Sequence, residues 1–600
     1  MKKIIYVLFS ILFISCLNNK EVEPEEKVIK NSQATGYKIK GTQKCWQKIT
    51  IDFKGPKTSE FAEKNPFLNY RLNVEFSNGN EKYMVPGFFA ADGNASETGA
   101  KSGAIWKVHF TPNKSGEWKF KASFREGENI AVNDSIDVGK GLSFDGTQGT
   151  FTIDKTDKTA PGFLKKGRLN YVGKRYLQFE ESKEYFIKGG TDSPENFLAY
   201  SDFDNTPSKH FYKKHVPDWK EGNPTWKDGK GKGIIGALNY LASKKMNVVY
   251  FLVNNVMGDG DDTYMWTSRN ERYRFDCSKL EQWEIVFQHF DRLGIMMHVV
   301  LQENENQNLL DSGFTDVQRK LFHRELIARF SHHLGITWNM GEENGPVDWY
   351  HNLGQSNKQR IAMAEHFRSL DPYNHLNVFH TFAYNPKLND LTVPLLGNKS
   401  IDGVSLQIDK LYHIHDEVKK WIKKSKDSLH QWVVNNDEIG HWKTGVVADS
   451  VDVKHDSIRK YSLWGTYMAG GAGTEWYMGL EDLTVDDFRT RDKMWDQTRY
   501  ALDFFKDFAV AEMINLDDKV LKGKAWCLGK EGKTYIVHLR DGGSATLKLN
   551  KEGKGNYRAK WYNPRKGTYV EEQQTIKATS SLNTGFAPSK EDWVVVLNKV

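Results

Sequence analysis

Leu280-Glu-Gln-Trp-Glu-Ile-Val-Phe-Gln-His-Phe-Asp-Arg-Leu293-Gly-Ile295-Met-Met-His-Val-Val-Leu301-Gln-Glu-Asn-Glu305 is the stretch that decides the fold. Up to Leu293 its apolar residues recur at helical spacing. From Ile295 to Leu301 they run together without alternation, as in a strand covered on both faces, and four polar residues follow. The same helix-then-strand unit recurs along the chain. Gly233–Lys244 precedes Asn247-Val-Val-Tyr-Phe-Leu-Val253, Arg319–His332 precedes Ile336-Thr-Trp-Asn339, and Ile361–Leu370 precedes Leu376-Asn-Val-Phe-His380. Val404-Ser-Leu-Gln407, Trp432-Val-Val-Asn435 and a Gly470-rich strand continue the series. With Tyr185-Phe-Ile-Lys-Gly-Gly190 as the first, eight strands alternate with helices between about Gly189 and Lys506. Eight alternations predict an α/β chain built on a closed (β/α)8 TIM barrel, not an open sheet.

The flanks read differently. Ile49-Thr-Ile-Asp-Phe53, Tyr70–Phe76, Ala104–Phe110 and Trp118–Phe124 alternate with period two and are separated by turn sequences, which predicts an N-terminal β-sandwich over 43–160. A Lys- and Thr-rich linker, Asp154–Lys166, and a hairpin lead into the barrel, placed at 161–512. Alternation returns in Tyr535–Leu539, Ala545–Leu549, Tyr557–Tyr562 and Trp593–Leu597, so a small C-terminal β-sandwich is expected over 513–600.

At the N-terminus Lys2 and Lys3 precede a short apolar run, Ile4–Ile14, too short to span a bilayer. It stops at Ser15-Cys16, which resembles a bacterial lipoprotein signal. That resemblance implies a signal peptide over 1–15, lipidation of Cys16, and a tether over 16–42. The run Lys20–Glu26 resembles the acidic tag of Bacteroidetes lipoproteins bound for the cell surface. A membrane partner is therefore expected through the lipid alone, with localisation at the outer membrane or cell surface. Beyond Cys16 only Cys45, Cys277 and Cys527 remain, widely spaced and without a CxxC, so neither a structural zinc site nor a disulfide framework is indicated. The net charge of +7 comes without a basic run or a nucleic-acid motif, which argues against nucleic acid as a partner. It is compatible with a sulfated or uronate-bearing glycan through long-range attraction.

Side chains that follow barrel strands share one mouth, because the βα loops open there. In this chain nearly every strand ends in hydrogen-bonding residues: Asp192 after the first, Asn255 after the second, Gln302-Glu-Asn-Glu305 after the third, and Asn339 with Glu342 and Glu343 at the fourth. His380, Gln407, Asn435-Asn-Asp437-Glu438 and Glu475-Trp476-Tyr477 end the remaining four. A barrel with only a structural role has no reason to place polar groups this way repeatedly. Cleavage of a glycosidic bond needs two carboxyl groups flanking it, one a proton donor and one a nucleophile or base. Glu343 and Glu438, 95 residues apart on strands four and seven, are the candidates, with Glu342 and Asp437 as their rivals. His413-Ile-His415-Asp416 lacks a third metal ligand and reads as a solvated loop. Gly258-Asp-Gly-Asp-Asp262 reads as a loop at the mouth, without the full calcium-loop pattern. No cofactor or metal is expected.

Trp338-Asn-Met-Gly-Glu-Glu343-Asn344 resembles the fourth-strand signature of clan A retaining glycoside hydrolases, in which an acid/base Glu closes the run. Trp432-Val-Val-Asn-Asn-Asp-Glu438 resembles their seventh-strand nucleophile segment. Gly-Gly-Thr-Asp192 and Gly470-Gly-Ala-Gly-Thr-Glu-Trp476-Tyr477 resemble the apiosidase-like barrels of bacterial glycan-degrading loci. The segments around Val85-Pro-Gly-Phe and Ser115-Gly-Glu-Trp118 resemble the uncharacterised β-sandwich that precedes such barrels. Asp541-Gly-Gly, Trp561-Tyr-Asn-Pro and Asp592-Trp593 resemble the collagen-binding-type β-domain that follows them. The resemblance implies a carbohydrate substrate of plant or algal origin, with Glu438 as nucleophile and Glu343 as acid/base. It further implies Asn339 and His380 as orienting groups, and Trp338, Trp476 and Tyr477 as stacking platforms. Asp192, Asn255 and Gln407 complete the expected binding set. Were Asp437 the second carboxylate, a wider separation and inversion would follow. A non-catalytic glycan-binding lipoprotein is the competing reading, and a polysaccharide lyase fits less well because the strand ends present no Tyr/His/Arg site.

Overall fold

A computed structural model describes residues 36–346 and 354–600, so the signal segment, Cys16 and the tether up to residue 35 lie outside the described residues. Eight parallel strands close into a barrel: β1 (Lys188–Thr191), β2 (Val248–Leu252), β3 (Met296–Val300), β4 (Ile336–Asn339), β5 (Leu376–His380), β6 (Gly403–Ile408), β7 (Val433–Ile439) and β8 (Gly473–Trp476). β8 returns to β1 with Glu475 opposite Gly190, which completes the ring. Around it run α1 (Lys232–Ser243), α2 (Cys277–Leu293), α3 (Val317–Phe330), α4 (Asn357–Leu370), the short α5 (Lys387–Thr392), α6 (Ile414–Asp427), α7 (Trp464–Met468) and α8 (Asp492–Lys506). The strands are buried along their whole length, which is why they read as continuous apolar runs.

Two strand limits differ from the sequence reading. β1 begins at Lys188, not Tyr185, because Tyr185 and Phe186 belong to the hairpin that precedes the barrel. Tyr185 bridges to Gln178, and the Phe186 amide donates to the Leu177 carbonyl. The glycines of β1 have a steric cause: a Cβ on Gly190 would lie 2.0 Å from the Val248 carbonyl oxygen of β2. β8 begins at Gly473, since Gly470 turns with φ 89° and closes α7.

The N-terminal region forms two antiparallel sheets that face each other. One contains Ile49–Ser59 and Ser102–Phe110; the other contains Tyr70–Asn78 and Gly116–Glu126. Phe76 of one sheet stacks on Phe110 of the other at 4.1 Å, and Phe53 meets Phe120 at 6.2 Å. This sandwich rests on α3, whose side chains are buried nearly all round, charged ones included. Arg324 donates to the Leu72 carbonyl at 2.6 Å, and Arg329 donates to that of Phe89 at 3.1 Å. A helix covered on one side by the barrel and on the other by a sandwich has no solvent face to fill with exposed charges.

The C-terminal region is a six-stranded sheet facing a three-stranded one. Trp593–Lys599 lies inside the larger sheet, and its run of valines reflects burial on both faces. Val595 and Leu597 pack into the local core, whereas Val594 and Val596 pack toward the barrel. Arg459 reaches across from the barrel and donates to both oxygens of Asp592, at 2.9 and 3.1 Å, with both side chains buried. His415 is part of the same docking surface, not of a solvated loop as its sequence suggested. It begins α6, is buried, stacks on Trp526 at 4.2 Å, and bonds Asp517 at 2.6 Å.

Candidate active site

The strand ends converge on an acidic mouth, and β7 organises it. Along a regular strand, consecutive side chains point to opposite faces. On β7 Asn436 points outward and donates to Ser462 Oγ at 3.1 Å. Asp437 then faces the barrel interior, so a regular strand would turn Glu438 away. The register instead slips here: Leu406 pairs with Asn436, but Gln407 pairs with Glu438. This bulge re-aims Glu438 inward one level above Asp437, giving two adjacent carboxylates in two different environments.

Asp437 belongs to the packed barrel core. Lys188 Nζ lies 2.5 Å from its Oδ1 and 2.9 Å from Glu475 Oε1. His298 Nδ1 donates to Glu475 at 2.9 Å, while its Nε2 accepts from Asn339 Nδ2 at 3.1 Å. Burial and the nearby Lys188 hold His298 down to about 3, so the ring is neutral and this tautomer satisfies both partners. Burial lifts Asp437 to about 6 and Glu475 to about 7, against the opposing pull of Lys188. With the Lys188 ammonium between them, these carboxylates form a closed charge network beneath the mouth.

Glu438 looks the other way. Gln407 Nε2 donates to its Oε1 at 2.5 Å, and His380 Nε2 lies 3.4 Å from its Oε2. Burial, with His298 and Lys188 nearby, lowers His380 to about 3, so it is a neutral ring, and both of its nitrogens are without a hydrogen-bond partner. Ligand-type atoms of Glu342, His380 and Glu438 lie within 4.8 Å of one another, as do those of Asp192, Glu195 and Glu438. Tyr250, in the middle of β2, donates to Glu342 Oε2 at 2.5 Å. Asp192 is fully buried and neither of its oxygens is hydrogen-bonded.

These carboxyls cannot all be charged together. Burial first and mutual repulsion second raise Asp192, Glu195, Glu342 and Glu438 well above the usual carboxylate range. Glu438 receives a hydrogen bond from Gln407, which favours its ionised form, whereas Asp192 receives none. Glu343 is partly exposed, and burial together with Glu305 raises it to about 8. Hydrogen bonding by Gln407 opposes that rise. Its backbone sits at φ 44°, a left-handed conformation that costs a non-glycine residue about 1–2 kcal/mol. On the β2 loop a Cβ on Gly258 would lie 2.3 Å from a Glu303 carboxyl oxygen, so a larger residue there would have to displace that carboxyl.

Of the expected site residues, the fold brings Asp192, Glu343, His380, Gln407, Glu438 and Tyr477 to the mouth. Tyr477 is partly exposed, and Glu195 and Glu438 stand among the charges that raise its hydroxyl. Asn339 sits one layer below, holding His298. Three assignments are corrected. Asn255 spends its side chain within its own loop: it donates to Asp262 and the Asp259 carbonyl and accepts from the amides of Asp262 and Thr263. Trp338 points outward and packs edge-on against Phe367 of α4 at 5.2 Å. Trp476 donates to Thr498 of α8 at 2.8 Å. Both indoles are buried behind the strands, where a sugar cannot stack on them. The sequence reading passed over Lys188, Tyr250, His298 and Asp482. Lys188 and His298 carried a signal, since each is a polar residue inside an otherwise apolar strand. Asp482 lies within a 3-10 turn after β8 and carried none.

Two further clusters have metal-ligand chemistry. In His298–Asp437–Glu475 the place of a cation is taken by Lys188. In Glu284–His332–His333, under the N-terminal sandwich, Lys48 sits 3.0 Å from Glu284 and Asp291 holds His333 at 2.8 Å. Each is a hydrogen-bonded ion network carrying its own positive charge.

Comparisons with known proteins agree with this architecture. Residues 42–125 match a family model described as a domain of unknown function (DUF5060), and residues 513–598 match the "Putative collagen-binding domain of a collagenase". A comparison with curated proteins gives no match. Among solved structures, a "putative glycoside hydrolase" from Bacteroides vulgatus superposes with a TM-score of 0.62 at 15% identity, covering 93% of this chain and 99% of its own. A glycoside hydrolase family 5 protein from the same organism gives 0.52 at 16% identity, covering 73% and 95%. A third glycoside hydrolase gives 0.51 at 14%, covering 74% and 99%. At these identities the likeness establishes the fold: a closed eight-stranded barrel between two β-domains, shared with structural neighbours named as glycoside hydrolases.

Proposed function

We propose that this chain is a glycoside hydrolase that cleaves a plant or algal polysaccharide, or its oligosaccharides, by a retaining two-carboxylate mechanism. The observation that carries the reading is the bulge in β7, which aims Glu438 into a mouth shared with the β4 carboxyls while Asp437 stays paired to Lys188 below. Glu438, ionised and held by Gln407, attacks the anomeric carbon as the glycosidic C–O bond breaks. Glu343, raised to about 8, carries a proton at neutral pH and delivers it to the leaving oxygen. It then takes a proton from water, and the resulting hydroxide displaces Glu438 from the anomeric carbon. After burial, the charge of Glu343 is the largest influence raising Glu438, which fits two carboxyls flanking one bond. Kept protonated beside Glu438, Glu342 is placed to donate to the sugar ring, with its other oxygen fixed by Tyr250. The names of the structural neighbours support the same class of reaction.

The test is release of reducing ends from a panel of plant and algal glycans. Release from at least one supports the hydrolase; tight binding without release from any bound glycan points instead to a glycan-binding protein. We also propose anchoring at the outer membrane or cell surface through lipidated Cys16, from its place after the apolar run. Radiolabelled palmitate incorporated by wild type and not by Cys16→Ala supports this, and equal incorporation refutes it.

A further inference from the structure

We infer that the sugar ring held at the mouth is an uncharged one, and that the site excludes a sulfate or uronate group at that position. The inference rests on the glycoside hydrolase reading for where the ring sits. Six carboxyl side chains surround that place: Asp192, Glu195, Glu342, Glu343, Glu438 and Asp482. Ligand-type oxygens of Asp192, Glu195 and Glu438 lie within 4.8 Å of one another, and Asp192 offers two buried acceptor oxygens with no partner. Among the described residues, none of the six is ion-paired to Lys or Arg, and the nearest ring, His380, is neutral.

Lys188, Arg319, Arg491 and Arg269 are each held by other partners. Lys188 is held by Asp437 and Glu475 in the layer below. Arg319 donates to the Gln307 and Leu310 carbonyls, and Arg491 pairs with Glu481 at 2.8 Å. Arg269 is spent on Asp261 at 2.7 Å. An anionic group entering this mouth would lose its water and meet the ionised Glu438 in place of a compensating cation. A neutral ring instead brings hydroxyl donors, which the unpartnered oxygens of Asp192 are built to accept. The net charge of +7 therefore does not describe the site, whose sign is opposite to that of the chain. It leaves room for anionic groups only on residues of the glycan that lie outside the mouth.

Matched pairs of oligosaccharides test this: a sulfated oligosaccharide with its desulfated form, and a uronate oligosaccharide with its carboxyl-reduced form. Binding is measured by calorimetry in the presence of a chelator, and cleavage products are read by mass spectrometry. The neutral member of a pair is expected to bind roughly a hundredfold or more tightly, the scale of a like-charge contact. In mixed glycans the new reducing-end residue is expected to be uncharged. In Asp192→Asn/Glu195→Gln, which removes two ionisable carboxyls and keeps shape, the gap is expected to narrow at least tenfold. Equal or tighter binding of the anionic member, a charged new reducing end, or binding of no member overturns the inference. Selective binding of neutral members without cleavage upholds it and removes the hydrolase reading instead.

Discussion

Replacing Lys188 with Met separates the two carboxylates of β7 by role. The substitution keeps length and apolar volume but removes the ammonium that Asp437 and Glu475 share, at 2.5 and 2.9 Å. Two fully buried carboxyls are then left facing each other, and removing one partner of such a network costs about 3–5 kcal/mol. With an unfolding entropy of about 2.1 cal/mol/K per residue over roughly 350 barrel residues, the midpoint falls by about 4–7 °C. The loss depends on pH in a definite sense. Asp437 at about 6 and Glu475 at about 7 lie above their ordinary 3.8 and 4.5, so the folded state keeps protons that the unfolded chain has already released. The stability they contribute is full below about pH 4 and is lost as the pH rises through 6 and 7. Without Lys188 both groups rise further, and the deficit against wild type is expected to widen from pH 5 to pH 8. Thermal unfolding followed by circular dichroism at both pH values reads this out. An unchanged midpoint at pH 8, or a deficit that does not change with pH, would refute the network. So would an Asp437→Asn variant that folds with wild-type stability yet loses all hydrolysis.

The alkaline limb of the pH–rate profile should follow Glu343: kcat/KM is expected to fall above about pH 8, and Glu343→Gln to lose that limb along with about 10²–10⁴ of the rate, as pH–rate profiles would show. Tyr250→Phe frees the Glu342 oxygen it donates to and is expected to lower kcat by about tenfold with the fold intact, the scale of one hydrogen bond to a charged or acidic group; steady-state kinetics beside a circular dichroism spectrum checks it. Asp592→Asn removes the buried counter-charge that Arg459 and Arg565 share and leaves Arg459 only the half-exposed Asp456, at a cost of up to about 3–5 kcal/mol. Because Arg459 and His538 hold Asp592 well below the usual carboxylate range, that contribution is present above about pH 4 and fades only in stronger acid. Limited proteolysis near residue 513 is expected to quicken in the variant at pH 7.

The barrel was legible because each strand buries both faces and each helix buries one, so period and apolar run length carry the signal directly. The chain reads less well where one element serves two neighbours. α3 hides its charges against the N-terminal sandwich, and His415 docks a C-terminal sheet a hundred residues further on. At the site, position after a strand drew attention to Glu343, His380, Gln407 and Glu438, which the fold places at the mouth because every strand's end opens there. It did not say which way a side chain faces. Trp338 and Trp476 sit at strand ends but point to the helices, and Asn255 closes its own loop. The bulge that parts Asp437 from Glu438 exists only in the pairing of β6 with β7. No single-strand pattern encodes it.

The central claim is tested most directly by hydrolysis of the glycan panel with wild type, Glu343→Gln, Glu438→Gln and Asp437→Asn side by side. The expected result is reducing ends from wild type, release lowered by about a hundredfold or more in either Glu variant, and release from Asp437→Asn in proportion to the protein that remains folded. Release retained by Glu438→Gln and abolished in well-folded Asp437→Asn would contradict the account.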